Sequence, residues 1–404
     1  MQDTDPLFDA TPSVSLAPEK LAAWLRLERT HGIGPRSAHT LLDAFGSPEA
    51  IFAAGPTALS AHVSPAQARA LGAPPSSDTQ RILAATLDWL RHPGHSVLAL
   101  GEAGYPELLA NIPDPPLLLY IKGRSELLMR PSLAIVGSRN ASTQGKANAA
   151  AFAEALSGAG VCIVSGLALG IDAAAHEGAL EGAQHARGGT VAVIGTGPDL
   201  VYPSRNARLF ERIGIEGCIV SEYPVGTPPL PGNFPKRNRI ISGLAAGVLV
   251  VEAAAQSGSL ITARQAAEQG RDVFAIPGSI HAALAKGCHV LIREGAKLVD
   301  TAADVLEALA ASPLSGWRTA PQARAVPAQA APDTQAQAQG LAQALDEALL
   351  QALGHDPVEP DSLLAVLQEN AAALSSRLLM LELAGLVERL PGGRVQRVVR
   401  PMAK

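Results

Sequence analysis

The sequence predicts an α/β protein: a doubly wound, Rossmann-like parallel sheet with an N-terminal helical domain of helix-hairpin-helix or SAM-like type and a C-terminal winged-helix domain. Between residues 131 and about 310, short apolar runs alternate with alanine-rich helical segments, as in a parallel sheet that is buried on both faces. A helical pattern precedes this region, and a small helix-and-hairpin pattern follows it. A chain of 404 residues, 47% of them hydrophobic, is long enough for two or three such domains.

Charge and cysteine content narrow the classes of function. The 32 Lys and Arg residues are outnumbered by 37 Asp and Glu residues, so nucleic acid would have to bind through a local basic patch. The three cysteines stand far apart and form no CxxC, which argues against a zinc ribbon and fits buried thiols in a reducing cytoplasm. The N-terminus lacks the pattern of a secretory signal, and no apolar stretch approaches the ~20 residues of a membrane span. We therefore expect a cytoplasmic protein with no membrane segment.

The first part of the chain is predicted to be a polar tail followed by helices. Residues 1–17 are polar and contain proline, and we expect them to be disordered. Residues 18–95 are predicted to form the helical domain. Gly32 and Gly34 bound a turn between two helices, the helix-hairpin-helix pattern whose backbone amides can approach a phosphate. A plain helical turn with glycine caps is the alternative, since short glycine turns are common.

Residues 96–311 are predicted to form the Rossmann-like domain. Its strands are predicted as seven apolar runs: Leu133–Val136, Val161–Val164, Val191–Ile194, Cys218–Val220, Val248–Val251, Val273–Ile276 and the weaker Lys297–Val299. Helices are predicted between them: Ala147–Leu156, Ala173–Leu180 and Ala263–Gln269. Ligands of such domains bind at the loops that follow the carboxyl ends of the strands.

Glycine- and hydroxyl-rich loops follow several of the predicted strands. Glycine permits close approach of the backbone, while amides, hydroxyls and an arginine can hold an anion. The candidate residues are Gly137, Ser138 and Arg139 in the first loop, Ser165 and Gly166 in the second, and Ser257, Gly258 and Ser259 in the fifth. Each loop alone is a weak signal, but several at one sheet edge indicate a phosphate-binding surface.

The fourth loop adds positive charge and an aromatic ring at the start of a helix. It contains Phe234, Lys236, Arg237, Asn238 and Arg239. A base could stack on the phenyl ring while arginines contact phosphates, or the ring could anchor the loop in the core. The two arginines, spaced two apart, should point in different directions. We expect one to contact ligand and the other to pair with an acidic residue, for which Glu222 and Glu252 are the candidates.

Two further polar residues belong to the second loop and its helix. Asp172 and His176 have helical i, i+4 spacing, and we expect them to brace the loop rather than to catalyse a reaction.

Signatures of common enzymes are missing from the strand-end loops. Gly195-x-Gly197 lacks the third glycine of the dinucleotide fingerprint, because position 200 is leucine. Gly145-Lys146 lacks the glycine five positions earlier that the Walker A motif requires, and His176-Glu177 is not part of an HExxH motif. We therefore predict no catalytic residues, no metal site and no cofactor.

The C-terminal part is predicted to be a linker and a small domain. Residues 312–340 are rich in Ala, Gln and Pro and indicate a linker. Residues 341–404 are predicted to form a winged helix. Its parts are a helix near 341–349, a second capped by Asp361-Ser362, a third at Ser375–Leu386, and a wing of Val387–Leu390 and Arg394–Val399. Because this unit is not strongly basic, contact with duplex DNA and contact with protein both stay open.

Taken together, the motifs of residues 105–300 resemble those of the bacterial DNA-processing protein A family (DprA/Smf). The resemblance is carried by Tyr105-Pro106-Glu107-Leu108-Leu109, Gly137-Ser138-Arg139, the run Ser165–Asp172, Val193–Gly197, Ser221-Glu222-Tyr223-Pro224, Asn233–Gly243, Ser257-Gly258-Ser259-Leu260 and Pro277-Gly278-Ser279.

The resemblance implies a non-enzymatic protein that binds single-stranded DNA, protects it, and loads the RecA recombinase during natural transformation. It also implies a homodimer formed through the Rossmann-like domain. The family's DNA pocket would fall on Arg139, the 165–166 turn, Phe234, the run Arg237–Arg239 and the 257–259 turn. Two departures are that Gln256 replaces a basic residue common in relatives and that Ala245 replaces a common serine. The alternative is a nucleotide-binding enzyme similar to LOG phosphoribohydrolases, although their PGGxGTxxE signature is absent.

Overall fold

A computed structural model describes residues 16–184, 188–314, 349–350, 352–353, 357–367, 370–390 and 392–398. The predicted tail over 1–17 and the predicted linker over 312–340 therefore lie mostly outside the described residues. Within these ranges, no helix is both long and apolar enough to cross a membrane. The predicted domain boundaries stay predictions, while the three kinds of architecture expected from the sequence are all present.

The N-terminal unit is helical, as predicted. Its first five helices all begin at a proline, whose fixed φ and missing N–H suit the first helical position. Gly32, with φ of +80°, makes the turn before the second helix. The helices are α1 (Pro18–Arg29), α2 (Pro35–Phe45), α3 (Pro48–Ala53), α4 (Pro56–Ser60), α5 (Pro65–Gly72) and α6 (Ser77–Trp89).

Nine strands of the described chain form one sheet, of which the seven predicted strands make the parallel part. The order is β1-β2-β6-β5-β4-β3-β7-β8-β9, and β1 and β2 are an antiparallel extension that the sequence analysis did not predict. The strands are β1 (His95–Ala99), β2 (Leu118–Gly123), β3 (Ser132–Val136), β4 (Cys162–Ser165), β5 (Gly189–Ile194), β6 (Cys218–Ser221), β7 (Gly247–Val250), β8 (Asp272–Ala275) and β9 (Lys297–Leu298).

Helices cover both faces of the sheet, which makes the fold doubly wound. Alternate residues of β3 enter different cores, with Leu133 and Ile135 in one and Ala134 and Val136 in the other. The helices are α7 (Glu107–Ala110), α8 (Thr143–Gly158), α9 (Ile171–Ala183), α10 (Ala207–Glu216), α11 (Asn233–Leu244), α12 (Ser259–Glu268), α13 (Lys286–Arg293) and α14 (Ala302–Ala311).

The strand order places a topological switch point beside β3. The chain continues from β3 to β4 on one side, and β7 later joins β3 on the other side. The loops after β3 and β7 therefore leave the sheet in opposite directions and open a crevice at the carboxyl edge, the usual ligand position in this class of fold. Buried contacts from α1–α6 to Val97, Ala99, Leu118 and Tyr120 attach the helical unit to the far edge of the sheet.

The described C-terminal residues form a winged helix. Its second helix begins at Pro360, so Asp361 and Ser362 lie in its first turn rather than at its cap. The third helix begins four residues earlier than predicted and ends before Gly385, whose φ of +70° suits the residue after a helix. Of the predicted first helix near 341–349, only residue 349 is described. The elements are α15 (Pro360–Leu367), α16 (Ala371–Leu383), β10 (Val387–Arg389) and β11 (Val395–Arg397).

Candidate nucleic-acid interface

A cavity of about 630 Å³ opens at the switch point. The loop after β3, the first turns of α11, and the loop between β7 and α12 form its walls. Nine of the thirteen predicted site residues line it: Gly137, Ser138, Arg139, Phe234, Arg237, Asn238, Ser257, Gly258 and Ser259. The structure thus brings together residues that are up to 122 positions apart in the sequence (137 and 259). The other four, Ser165, Gly166, Lys236 and Arg239, lie outside the lining and have separate roles.

Arg139 is the accessible cation of the cavity. Its side chain is exposed and makes no hydrogen bond or ion pair with the described residues. The loop that carries it is held from both ends: the Ser138 amide donates to the Glu252 carbonyl at 2.7 Å, and the Asn140 amide donates to the Ser138 hydroxyl. Gly137 packs so closely that an added Cβ would lie 2.6 Å from Ile171 Cγ1. A rigid loop therefore presents an unpaired guanidinium to solvent at the cavity wall.

Arg237 is the buried cation of the cavity. Its Nη2 donates to the Gly166 carbonyl at 2.8 Å, and its buried Nε has no hydrogen-bond partner in the described chain. Burial lowers the pKa of this guanidinium to about 10, against the opposing pull of the nearby Asp172 carboxylate. The group therefore stays charged at neutral pH, and its unsatisfied N–H can donate to an anion or a base that enters the cavity.

Asp172 braces the second loop, as the sequence analysis expected. Its Oδ2 accepts from the Gly166 amide at 3.1 Å and from the Ala168 amide at 3.4 Å, across Leu167, which has a φ of +55°. Burial raises the pKa of Asp172, while Arg237 lowers it. The carboxylate thus fixes the loop on which Arg237 rests. Ser165, at the start of this loop, is buried and donates to the Ile135 carbonyl.

His176 lies one helical turn further from the cavity. It is fully buried, its Nδ1 is 2.7 Å from the Thr190 hydroxyl, and burial lowers its pKa to about 3. A neutral imidazole bonded to β5 holds the helix against the sheet, which is not the direct contact with the loop that the spacing suggested.

Arg239 points away from the cavity. Its guanidinium pairs with Glu222 and lies 3.3 Å from Asp114 Oδ2. Arg239 therefore forms the ion pair expected of one of the two arginines, and Arg237 lines the cavity, while its contact with a ligand stays a prediction. Of the two candidate acidic partners, Glu222 is the one used, whereas Glu252 accepts hydrogen bonds from Ser142. Lys236 is exposed next to the cavity without lining it.

Hydroxyl groups form the wall opposite Arg139. The Ser257 and Ser259 hydroxyls lie 2.7 Å apart, and the Ser259 amide donates to the Ser257 hydroxyl. The Gly258 amide makes no hydrogen bond within the described chain, and an added Cβ there would meet nothing within 4 Å. The helix that starts at Ser259 adds the positive end of its dipole, which favours an anion at this wall.

Phe234 and Tyr202 form the aromatic part of the cavity. Phe234 is half-buried against Gly195, where an added Cβ would lie 3.0 Å from the ring, so the ring is both anchored and presented to the cavity. Tyr202 lies with its ring centroid 5.2 Å from that of Phe234. Tyr202 was not predicted as a site residue, although Tyr202-Pro203 follows the third strand-end loop.

The described residues supply the cavity with groups that can bind a ligand. Burial raises the pKa values of Cys162, to about 12, and of Cys218, so neither thiol is a nucleophile at neutral pH. No group of three or more potential metal ligands is found among these residues. The combination of guanidinium groups, amides, hydroxyls and aromatic rings suits phosphates and bases of an extended nucleic acid.

Comparison with known proteins assigns all three regions. Residues 96–310 match the model of the DNA recombination-mediator protein A family, residues 18–76 a DprA-like N-terminal HHH domain, and residues 325–393 a DprA winged helix domain. The chain is 50% identical over 219 residues to DNA processing protein DprA of Streptococcus pneumoniae, covering 54% of this chain and 75% of that protein. It is 40% identical over 318 residues to protein Smf of Escherichia coli, a match that covers 78% of this chain and 81% of that protein.

One solved structure supports the same family assignment, and a second is similar in sequence. The X-ray structure of the Streptococcus pneumoniae protein superposes with a TM-score of 0.60 at 39% identity and covers 72% of this chain and 98% of that chain. A structure of DNA processing protein A from Helicobacter pylori, described for its single-stranded DNA binding mode, has 30% identity and a TM-score of 0.49. The match covers 54% of this chain and 96% of that chain.

Proposed function

The chain belongs to the DNA recombination-mediator protein A (DprA/Smf) family, and on that premise we propose that it binds single-stranded DNA in the switch-point cavity without altering it. The observation that carries the proposal is the placement of Arg139, Arg237 and Phe234 around one cavity. Arg139 neutralises a backbone phosphate, the Arg237 guanidinium donates from the floor, and Phe234 stacks a base. A net charge of −5 leaves this local patch, rather than overall charge, to attract the polyanion.

The binding experiment compares two arginines at opposite edges of the sheet. Arg139→Ala removes the accessible cation at the carboxyl edge. Arg124→Ala removes a partly exposed arginine at the amino edge, where it pairs with Glu126. Because each neutralised phosphate contributes a slope of about −0.7 to log K against log salt, Arg139→Ala should reduce that slope by about this amount and Arg124→Ala should not. Equal slopes for both variants and the wild-type protein, measured by fluorescence anisotropy on oligothymidylate, would remove the proposed site.

We further propose that the protein protects incoming single strands and loads the RecA recombinase during natural transformation. The family description as a recombination mediator supports this role. The test adds the protein to single-stranded DNA covered by single-strand binding protein and measures RecA filament assembly. Wild-type protein should shorten the lag of assembly, and the Arg139→Ala variant should do so less at equal concentration.

A homodimer is part of the same proposal. Leu298, in the edge strand β9, and Ile280 are 54% and 67% exposed, and both line a pocket that Lys286 and Arg293 also line. An exposed apolar patch with a polar rim fits an interface between two copies, which would hold two strand segments at once. Leu298→Glu should convert a dimer into a monomer in sedimentation velocity, while the exposed Leu230→Glu on the loop before α11 should not.

The nucleotide-hydrolase alternative is not favoured. The matching relatives are named as DNA processing proteins or as protein Smf, and the strand-end loops lack the signature of that enzyme class.

For the winged helix, we propose contact with protein rather than with duplex DNA. The exposed residues of α16 include Leu379, Met380 and Leu383 and no charged side chain. Equal binding of duplex DNA before and after deletion of residues 312–404 is the expected result.

A further inference from the structure

Tyr202 is an exposed aromatic residue at the rim of the cavity. All four tyrosines of the chain are described, and the other three are engaged in the fold. The Tyr105 hydroxyl donates to the Pro116 carbonyl, the Tyr223 hydroxyl donates to the Asn233 carbonyl, and Tyr120 is completely buried. Tyr202, by contrast, is 47% exposed, and its hydroxyl makes no hydrogen bond within the described chain.

The chain on either side of Tyr202 is held in place by hydrogen bonds. Just before it, the Thr196 hydroxyl donates to the Leu200 carbonyl and the Leu200 amide donates to the Gly197 carbonyl. Just after it, the Asn206 side-chain amide donates to the Leu167 and Ala168 carbonyls of the second loop. Tyr202 therefore sits on a segment that is fixed at both ends, so its exposure is not the result of a loose loop.

Tyr202 and Phe234 meet at an angle rather than in a stack. Their ring centroids are 5.2 Å apart and their planes are tilted by 37°. Phe234 is seated on Gly195, so its position is set by the sheet, while Tyr202 approaches from the loop after β5. Two rings in this arrangement form an open corner, which leaves one face of Tyr202 for a planar group inside the cavity.

We propose that Tyr202 is a stacking residue that, with Phe234, holds an unpaired nucleobase and thereby lets the cavity select single-stranded over duplex DNA. The inference rests on the proposed binding of single strands and adds the residue that sets strand selectivity. Backbone phosphates are present in both forms of DNA, so Arg139 cannot tell them apart. In a duplex the base faces are already covered by their neighbours, whereas an unpaired base can swing out and stack on an aromatic side chain.

The magnitude of stacking makes the role measurable. Removing one aromatic side chain that stacks on a base weakens binding by about tenfold. Tyr202→Phe keeps the ring and should bind within about twofold of the wild-type protein. Tyr202→Leu keeps apolar bulk but removes the aromatic face, so it should bind single strands about tenfold more weakly and leave duplex binding unchanged.

The test uses full-length protein and oligothymidylate that carries one 2-aminopurine, whose fluorescence is quenched on stacking. At saturation, the wild-type protein and Tyr202→Phe should quench the probe, and Tyr202→Leu should quench it less. Arg139→Ala should bind more weakly but quench equally at saturation, which separates stacking from charge. Thermal melting of each variant checks that it is folded.

A second measurement needs no variant. Replacing the central nucleotide by an abasic site removes a base and keeps every phosphate, so the wild-type protein should bind the abasic strand more weakly, with an unchanged salt dependence. If the wild-type protein binds both strands equally, or if Tyr202→Leu retains quenching and selectivity, the stacking role is wrong while single-strand binding stands. Absence of any single-strand binding by the wild-type protein would instead overturn the proposed function and this inference together.

Discussion

Arg237 rests on the backbone of Gly166, and its guanidinium donates to the Gly166 carbonyl at 2.8 Å. The two residues come from different strand-end loops, 71 positions apart. Asp172 holds the same glycine from the other side by accepting its amide at 3.1 Å. The position of the buried cation in the cavity therefore depends on the absence of a side chain at residue 166.

Gly166→Ala should displace Arg237. A Cβ at residue 166 would lie 1.6 Å from Nη1 of Arg237, and this clash falls on the end of a side chain rather than on the backbone. We expect the sheet to survive, the guanidinium to move, and affinity for single-stranded DNA to fall by about tenfold, a change of about 1.4 kcal/mol.

The measurement is fluorescence anisotropy on oligothymidylate, together with circular dichroism to monitor the fold. Gly72→Ala is the matched control, because a Cβ there would meet nothing within 4 Å and the residue lies at the end of α5, away from the cavity. Unchanged affinity of Gly166→Ala would mean that Arg237 need not keep this position for binding.

Arg239→Ala should affect stability more than DNA binding. Its partner Glu222 is largely buried, with 18% of the side chain exposed, so the substitution leaves a buried carboxylate without its cation. Breaking a pair of this kind costs about 3 kcal/mol. The control is Arg212→Ala, whose pairs with Glu181 and Glu216 are more exposed and should contribute less than about 1 kcal/mol.

Urea unfolding checks the stability difference, and anisotropy below the unfolding midpoint checks binding. We expect the folded Arg239→Ala variant to bind single-stranded DNA within about twofold of the wild-type protein, since Arg239 does not line the cavity. A large loss of affinity with normal stability would assign Arg239 to the DNA site instead.

The sequence predicted the strand-end loops well, for a physical reason. Runs such as Val191–Ile194 are apolar at every position, which indicates a strand that is buried on both faces, and the residue that follows such a strand lies at the carboxyl edge. Arg139 and Ser257 could therefore be placed at one edge from the sequence alone. The direction of a side chain depends on neighbours that a sequence pattern does not reveal. Arg237 and Arg239 could therefore be predicted to point in different directions, but not which of them would line the cavity.

Two features of the structure were not predicted from the sequence patterns. The strands β1 and β2 join the sheet at its far edge, and their apolar residues Val97 and Tyr120 face the helices of the N-terminal unit. Their pairing is antiparallel and joins distant segments, which periodicity does not show. Tyr202 was not predicted as a site residue because it lies in an irregular segment after β5, where periodicity does not show which way the ring points.

Glu28 should make stability depend on pH. Its carboxyl Oε2 is buried without a partner between α1 and the sheet, close to Glu222 and Tyr120. Burial, and then Glu222, raise the pKa of Glu28 to about 8 from its ordinary value of 4.5, against the opposing effect of Arg29. The folded protein then holds a proton that the unfolded chain releases above 4.5. Stability is therefore greatest below 4.5 and falls as pH rises toward 8.

Urea unfolding at about pH 5 and about pH 9 measures this effect. The free energy of unfolding of the wild-type protein, relative to Glu28→Gln, should be lower at the higher pH, because the amide carries no titratable proton. Glu19→Gln, an exposed substitution on the same helix, should show no such difference. A Glu28→Gln difference that is constant across this range would show that Glu28 is ionised in the folded protein throughout.

Glu388 of the wing should weaken DNA binding. Its Oε2 accepts from the Thr143 amide at 2.6 Å, at the first turn of α8, four residues after Arg139. A carboxylate at a helix N-terminus occupies a position that also suits a phosphate, and it adds negative charge beside the cavity. Glu388→Gln should therefore raise affinity for single strands by about twofold at low salt, and the gain should vanish as salt screens the charge.

The control is Glu382→Gln. Glu382 lies on α16, where it pairs with Arg389, so the substitution removes the same charge away from α8 and should leave affinity unchanged. If both variants raise affinity equally, the effect comes from net charge, and the contact with α8 has no part in it.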